Sequence, residues 1–168
     1  MYMGQSVKSL YKPSNPQKYQ GNSTNIICRS SWERLFCKWC DTNPNVLKWA
    51  SEEFSIPYVS PTDGRVHRYY PDFLIEFKDS SGKIKKQIIE VKPKKQTQPP
   101  KAGKRVTKSF LYEAETYEKN MAKWKSAVEF AKDNGIEFRI ITEDELGINQ
   151  HGTRRVPRKR QQKNKRSY

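Results

Sequence analysis

Apolar residues fall into blocks with two different periods. Trp32, Leu35, Phe36 and Trp39 follow the i, i+3, i+4, i+7 spacing of one buried helical face, which predicts a helix over 31–41. Ser30 or Ser31 caps it, and Asn43-Pro44-Asn45 stops it. Two short extended pieces, VLKWA and FSIPYVS, lie within 46–59. Thr62-Asp63-Gly64-Arg65 reads as a hairpin turn. The run RYYPDFLIEF (68–77) predicts one strand, Asp79 to Gly82 the next turn, and KIKKQIIEV (83–91) a second strand ended by Pro93. Tyr117, Met121, Trp124, Val128 and Ala131 form the stripe of a long helix over 113–134, with Gly135 at its C-cap. IEFRII (136–141) is a last short strand, and Thr142 with Glu145 has capping-box spacing. This order predicts a single α/β domain with a mixed central sheet flanked by helices. Its expected bounds are 30–147, with an extended arm at 1–29 that packs on the domain or holds a partner, and a tail at 148–168 with nothing apolar enough to pack.

Charge narrows the partner. The net charge is +15. The stretch 151–168 has eight Lys/Arg and no acid, and the stretch 92–108 has seven and no acid, so these two carry the whole excess. Such concentration favours a polyanion over a small acidic ligand. No 18-residue apolar run predicts a membrane span, and the N-terminus lacks the apolar segment of a secretory signal. Cys28, Cys37 and Cys40 are odd in number, which suits reduced thiols better than a disulfide framework. Cys37 and Cys40 have half a zinc spacing, but they fall inside a helix and no second pair exists, so buried apolar Cys is the preferred reading.

With acids scarce, their placement carries information. If 68–77 and 83–91 form a hairpin, Asp72 and Glu90 meet near its open end, and alternation puts Lys92 on the Glu90 side. Two carboxylates beside a lysine suit Mg²⁺, with Mn²⁺ as a substitute and the Val91 carbonyl as a further ligand. The metal would activate water on a phosphodiester, and Lys92 would orient that water or neutralise the phosphorane. Glu33, on the first helix, is expected to reach the metal or its water, against the simpler reading of an acid favoured by the helix dipole. Tyr69 or Tyr70 is expected to face the site, and His67 is a weaker candidate for a phosphate. Arg68, Lys94, Lys95, Lys104, Arg105, Lys108 and Lys123 are the expected contacts to the DNA backbone.

Pro71-Asp72, then 17 intervening residues, then Glu90-Val91-Lys92, with Glu33 upstream, resembles the PD-(D/E)XK nuclease superfamily and its restriction-endonuclease-like core. The runs RSSWERLFCKWCDTNPNVLKWASEEFSIPYVSPTDGRVHRYYPDFLIEF, IIEVKPKKQTQPP and KWKSAVEFAKDNGIEFRIITEDELG resemble the head completion nucleases of T4-like tailed phages. They are more distantly similar to TnsA-type transposon endonucleases, in which Gln can stand at the position of Glu90. The resemblance spans about residues 6–147. It implies cleavage of double-stranded DNA by Glu33, Asp72, Glu90 and Lys92 after DNA packaging and before head-tail joining. It further implies portal, neck or capsid partners, in the bacterial host cytoplasm during assembly and then at the virion head. The alternatives are a non-catalytic structural adaptor at the head or portal, and a single-strand binder.

Overall fold

The computed structural model describes residues 8–148; residues 1–7 of the predicted arm, and all but the first residue of the basic tail predicted at 148–168, lie outside the described residues. Four strands form a mixed sheet in the order β3 (Val46–Ser51), β6 (Phe73–Lys78), β7 (Ile84–Val91), β8 (Glu137–Ile141). The first three are antiparallel, and β8 runs parallel to β7. The parallel pair requires a crossover, which α2 (Lys108–Asp133) provides. The architecture is the expected α/β core.

Alternation along β7 divides the interior in two. Ile89 and Val91 join Phe73, Ile75, Trp49, Phe36, Cys37 and Cys40 on the face covered by α1 (Ser31–Thr42). Ile88 packs on the other face with Trp124, Ala127 and Ala131 of α2, and with Ile56, Tyr58 and Tyr69. Those last three belong to a separate hairpin of β4 (Ile56–Val59) and β5 (Val66–Tyr69).

This hairpin corrects the strand predicted over 68–77. β5 ends at Tyr69 and β6 begins at Phe73, and the two join different sheets. Pro71 has no N–H for a ladder, so the break falls there. Asp72 therefore lies in a corner between sheets rather than within a strand. The β6–β7 turn forms as expected: Asp79 Oδ1 accepts from Ser81 N, Ser81 Oγ and Lys83 N, and Gly82 takes φ 80°.

Both helices bury a stripe displaced from the predicted one. On α1 the buried residues are Phe36, Cys37, Cys40 and Asp41, while Trp39 is 45% exposed. Leu35 and Trp39 instead line an open cavity of about 470 Å³ with Ile75, Ile141 and Ile148. On α2 the buried stripe is Asn120, Trp124, Ala127 and Ala131, and Met121 and Val128 are exposed. Counting large apolar residues favoured Met and Val; close packing on the sheet selects the small Ala side chains. α2 also starts five residues before the predicted position, because Thr107 Oγ1 accepts from Phe110 N as its cap.

The arm is part of the core. β1 (Ser9–Tyr11) pairs antiparallel with β2 (Ile26–Cys28), and Tyr11, Tyr19, Ile26 and Cys28 are buried. Asp41 accepts from Tyr11 Oη at 3.1 Å, Ser14 N at 2.7 Å and Asn15 N at 2.9 Å. Lys18 Nζ donates to the carbonyls of Cys40, Asp41 and Asn43, closing the C-terminal end of α1. At the other end, α3 (Glu143–Leu146) carries the predicted capping box, but Ile148 is buried beyond the expected boundary at 147.

Candidate active site

Strand register brings the acid pair together. Phe73 opposes Ile89, so the next antiparallel positions outward are Asp72 and Glu90. Asp72 Oδ2 accepts from Val91 N at 2.7 Å, which ties the corner to β7. Glu52 N donates to the Asp72 carbonyl at 3.2 Å. Glu52 has a φ of 52°, uncommon for a residue with a side chain, and Arg29 grips its carboxylate in a two-pronged pair at 2.9 and 3.1 Å.

Glu90 follows Ile89 and so turns to the α2 side of the sheet, where it is 4% exposed. Both its oxygens are engaged. Lys92 Nζ lies 3.1 Å from Oε1, and Tyr69 Oη donates to Oε2 at 2.5 Å. Tyr69, not Tyr70, is thus the site tyrosine; Tyr70 is exposed. Lys123 enters from α2, its Nζ 5.7 Å from the Tyr58 ring centre and 5.8 Å from that of Tyr69.

Titration reflects this crowding. Asp72 keeps some contact with solvent, yet burial of its carboxyl, reinforced by the Glu90 charge, pushes its pKa well above the usual range; Lys92 opposes this. For Lys92, burial works toward a lower pKa, but Glu90 and Asp72 outweigh it and the net shift is upward. Burial, then repulsion from Lys92, lowers the pKa of Lys123. The corner thus holds one acid whose ionisation is unfavourable in the free protein, a setting that an added cation would relieve.

The other predicted residues divide. Glu33 does not join the acid pair. Its carboxylate accepts from Arg29 N at 2.8 Å and Ser30 Oγ at 3.0 Å, while Glu33 N donates to Ser30 Oγ, so it closes the N-terminus of α1. α1 covers the face opposite Glu90, and Glu33 reaches the site as a minor charge on Asp72 and Lys92. Among the described residues no group of three or more His, Cys, Asp and Glu is placed to hold a metal. Asp72 and Glu90 remain as a carboxylate pair, with the backbone of Val91 between them. Two carboxylates, with waters completing the shell, match the donor set Mg²⁺ takes from proteins.

Of the expected DNA contacts, Lys123 is at the site. Lys94 is engaged elsewhere: its ammonium pairs with Asp144 at 2.9 Å and its N–H with Glu143. Lys95, Lys104, Arg105 and Lys108 are exposed along the segment that leaves Lys92. Arg68 is exposed and, by alternation, lies on the face of β5 opposite Tyr69. His67 pairs with Asp63 at 2.8 Å within its hairpin. The three cysteines are buried and free, Cys28 and Cys37 with sulfurs 3.5 Å apart. The polar network of Arg29 and Glu52 behind Asp72 escaped the sequence reading, because no spacing signals a side chain at positive φ.

Residues 43–143 match the family model described as TnsA-like endonuclease N terminal. That segment includes Tyr69, Asp72, Glu90, Lys92 and Lys123 and excludes Glu33. The chain is also 44% identical over 138 residues to the head completion nuclease of Enterobacteria phage T4, covering 80% of this chain and 89% of that relative. With the acid pair and lysine inside the matched segment, the chain belongs to the TnsA-like endonuclease family.

Proposed function

We propose that this protein is a Mg²⁺-dependent nuclease that hydrolyses phosphodiester bonds of double-stranded DNA. The carrying observation is the corner where Asp72 and Glu90 converge with Lys92 on Glu90 Oε1. Asp72, Glu90 and the Val91 carbonyl would hold the metal. Bound Mg²⁺, or Mn²⁺ in its place, would supply Lewis-acid polarisation of a phosphodiester oxygen and acidification of water. Lys92, already charged and poised at Glu90, orients the attacking water or neutralises charge on the pentavalent phosphate. Lys123 adds a second positive group on the same side of the sheet, suited to a backbone phosphate. Glu33 holds the N-terminus of α1 and contributes to the site's field from the far face.

The exposed cations from Lys95 to Lys108 supply charge that is independent of sequence, so affinity should fall steeply with salt and base specificity should be low. The name of the phage T4 relative supports extending the proposal to head completion; the timing we infer is after packaging and before head-tail joining, with portal, neck or capsid proteins as further partners. By the same reading the protein works in the host cytoplasm during assembly and remains at the head. Digestion of linear and closed-circular duplex DNA by the purified protein, with Mg²⁺ and with EDTA, tests this. The expected result is loss of linear DNA with Mg²⁺ alone, and loss of circles for an endonuclease. Intact DNA at every metal and salt concentration, with binding retained, would favour an adaptor role instead.

A further inference from the structure

Tyr69 is the last residue of β5, a strand outside the main sheet, yet its hydroxyl reaches Glu90 on β7. The two carboxylate oxygens of Glu90 have different partners: Tyr69 on Oε2, Lys92 on Oε1. These partners are not equivalent. Lys92 is a flexible side chain that keeps partial solvent contact, 26% exposed, and in the proposed reaction it must leave Glu90 to meet water or phosphate. Tyr69 has two rotatable side-chain bonds, is 4% exposed, and is fixed by packing against Ile88, Trp124 and Tyr58.

We propose that Tyr69 is a positioning residue for the metal site: it holds Glu90 by Oε2 so that Oε1 faces the Asp72 side when Lys92 lets go. This deepens the nuclease reading and rests on it. A carboxylate held at one oxygen is not free to turn and follow Lys92 when the lysine moves away. Without the hydroxyl, Glu90 would be free to turn and offer either oxygen to the lysine. The lysine pair would then compete better against a cation, and more metal would be needed to fill the site. Partners that orient a metal ligand typically change metal affinity by about 10–100-fold when removed. The same ring lies beneath Lys123, so Tyr69 fixes the acid with its hydroxyl and supports a phosphate-facing cation with its face.

The test compares the full chain with Tyr69→Phe, which keeps the ring and its packing. Mn²⁺ binding to the DNA-free protein is followed by electron paramagnetic resonance of free Mn²⁺, and cleavage is measured across a Mg²⁺ series. The proposal expects Tyr69→Phe to weaken Mn²⁺ binding by about 10-fold. The half-saturating Mg²⁺ for cleavage should rise by a similar factor, with most of the rate recovered at saturating Mg²⁺. Tyr11→Phe, which removes a hydroxyl bonded to Asp41 on the other face, serves as the structural comparison. It should lower thermal stability and leave both metal curves in place. A Tyr69→Phe protein that melts like the parent and has unchanged metal curves overturns the proposal. So does one whose cleavage falls equally at all Mg²⁺ concentrations. Asp72→Ala separates the two levels. If it cleaves normally, the nuclease site itself is misassigned. If it is inactive while Tyr69→Phe matches the parent, only the role of Tyr69 fails.

Discussion

Replacing Asp41 with Ala should release the arm from α1. Asp41 is 1% exposed, and its carboxylate is the shared acceptor for Tyr11 Oη, Ser14 N and Asn15 N at 2.7–3.1 Å. A hydrogen bond to a charged group contributes about 1.5–3 kcal/mol, so three would sum to roughly 4.5–9 kcal/mol. The true loss is smaller. The two backbone bonds are only partly buried, water can replace them, and bonds sharing one acceptor are not additive. The expected cost is about 4 kcal/mol, a large part of the roughly 5–15 kcal/mol that stabilises a typical domain. It should lower the melting temperature by about 10 °C. Asp41→Asn keeps one acceptor but turns an NH₂ group toward a backbone N–H, and should cost about 2 kcal/mol. Urea unfolding followed by tryptophan fluorescence measures both, since Trp49 packs edge-on against Tyr11 and Tyr19. Asp41 lies at the C-terminal end of α1, which covers the sheet face opposite Glu90. Folded Asp41→Ala protein should therefore still cut DNA in the cold. A loss under about 1 kcal/mol, on the scale of one ordinary hydrogen bond, would refute the view that this carboxylate anchors the arm.

Other expectations follow from single sites. Asp72→Asn should stabilise the metal-free protein at neutral pH by about 1 kcal/mol, because it keeps the acceptor for Val91 N and removes a charge that folding disfavours. The sign follows from the raised pKa of Asp72. Ionisation costs stability above the unfolded carboxyl value of about 3.9, so thermal melts in EDTA should show the gap closing as pH falls toward 4. Gly21→Ala should cost about 1–3 kcal/mol in urea melts, since φ is 140° and a Cβ would lie 2.4 Å from Glu53 Oε1, the acceptor for Tyr19. Lys123→Met should weaken DNA binding across all sequences and reduce the slope of log affinity against log salt by about 1.

The sequence revealed the meeting of Asp72, Glu90 and Lys92 better than the packing. Asp72, Glu90 and Lys92 could be brought together because a hairpin with a legible turn sets its own register, and Asp79 to Gly82 is such a turn. Tyr69 could be narrowed to two residues by alternation alone. The break at Pro71 is not legible in the sequence because a proline in an apolar run marks either an edge or an end, and only the partner strands decide. The helical stripes shifted for a related reason. Periodicity locates an apolar face to within one position, while the sheet surface chooses Cys37 and Cys40 over Leu35 and Trp39, and Ala127 over Val128. Glu33 shows the limit for site residues. Its type and place fitted a metal ligand, but an acid three residues after a capping serine fits helix closure equally well, and its hydrogen bonds serve that closure.

Single-turnover cleavage of duplex DNA by Asp72→Asn protein in saturating Mg²⁺, with binding measured in parallel, tests the central claim most directly. The substitution preserves shape and the bond to Val91 while removing the charge. The account predicts a rate at least about 10³-fold lower, the scale of losing a main electrostatic element of a catalytic site, with DNA affinity equal to or above that of the parent. Cleavage within about 10-fold of the parent would contradict it and place the catalytic centre elsewhere in the chain.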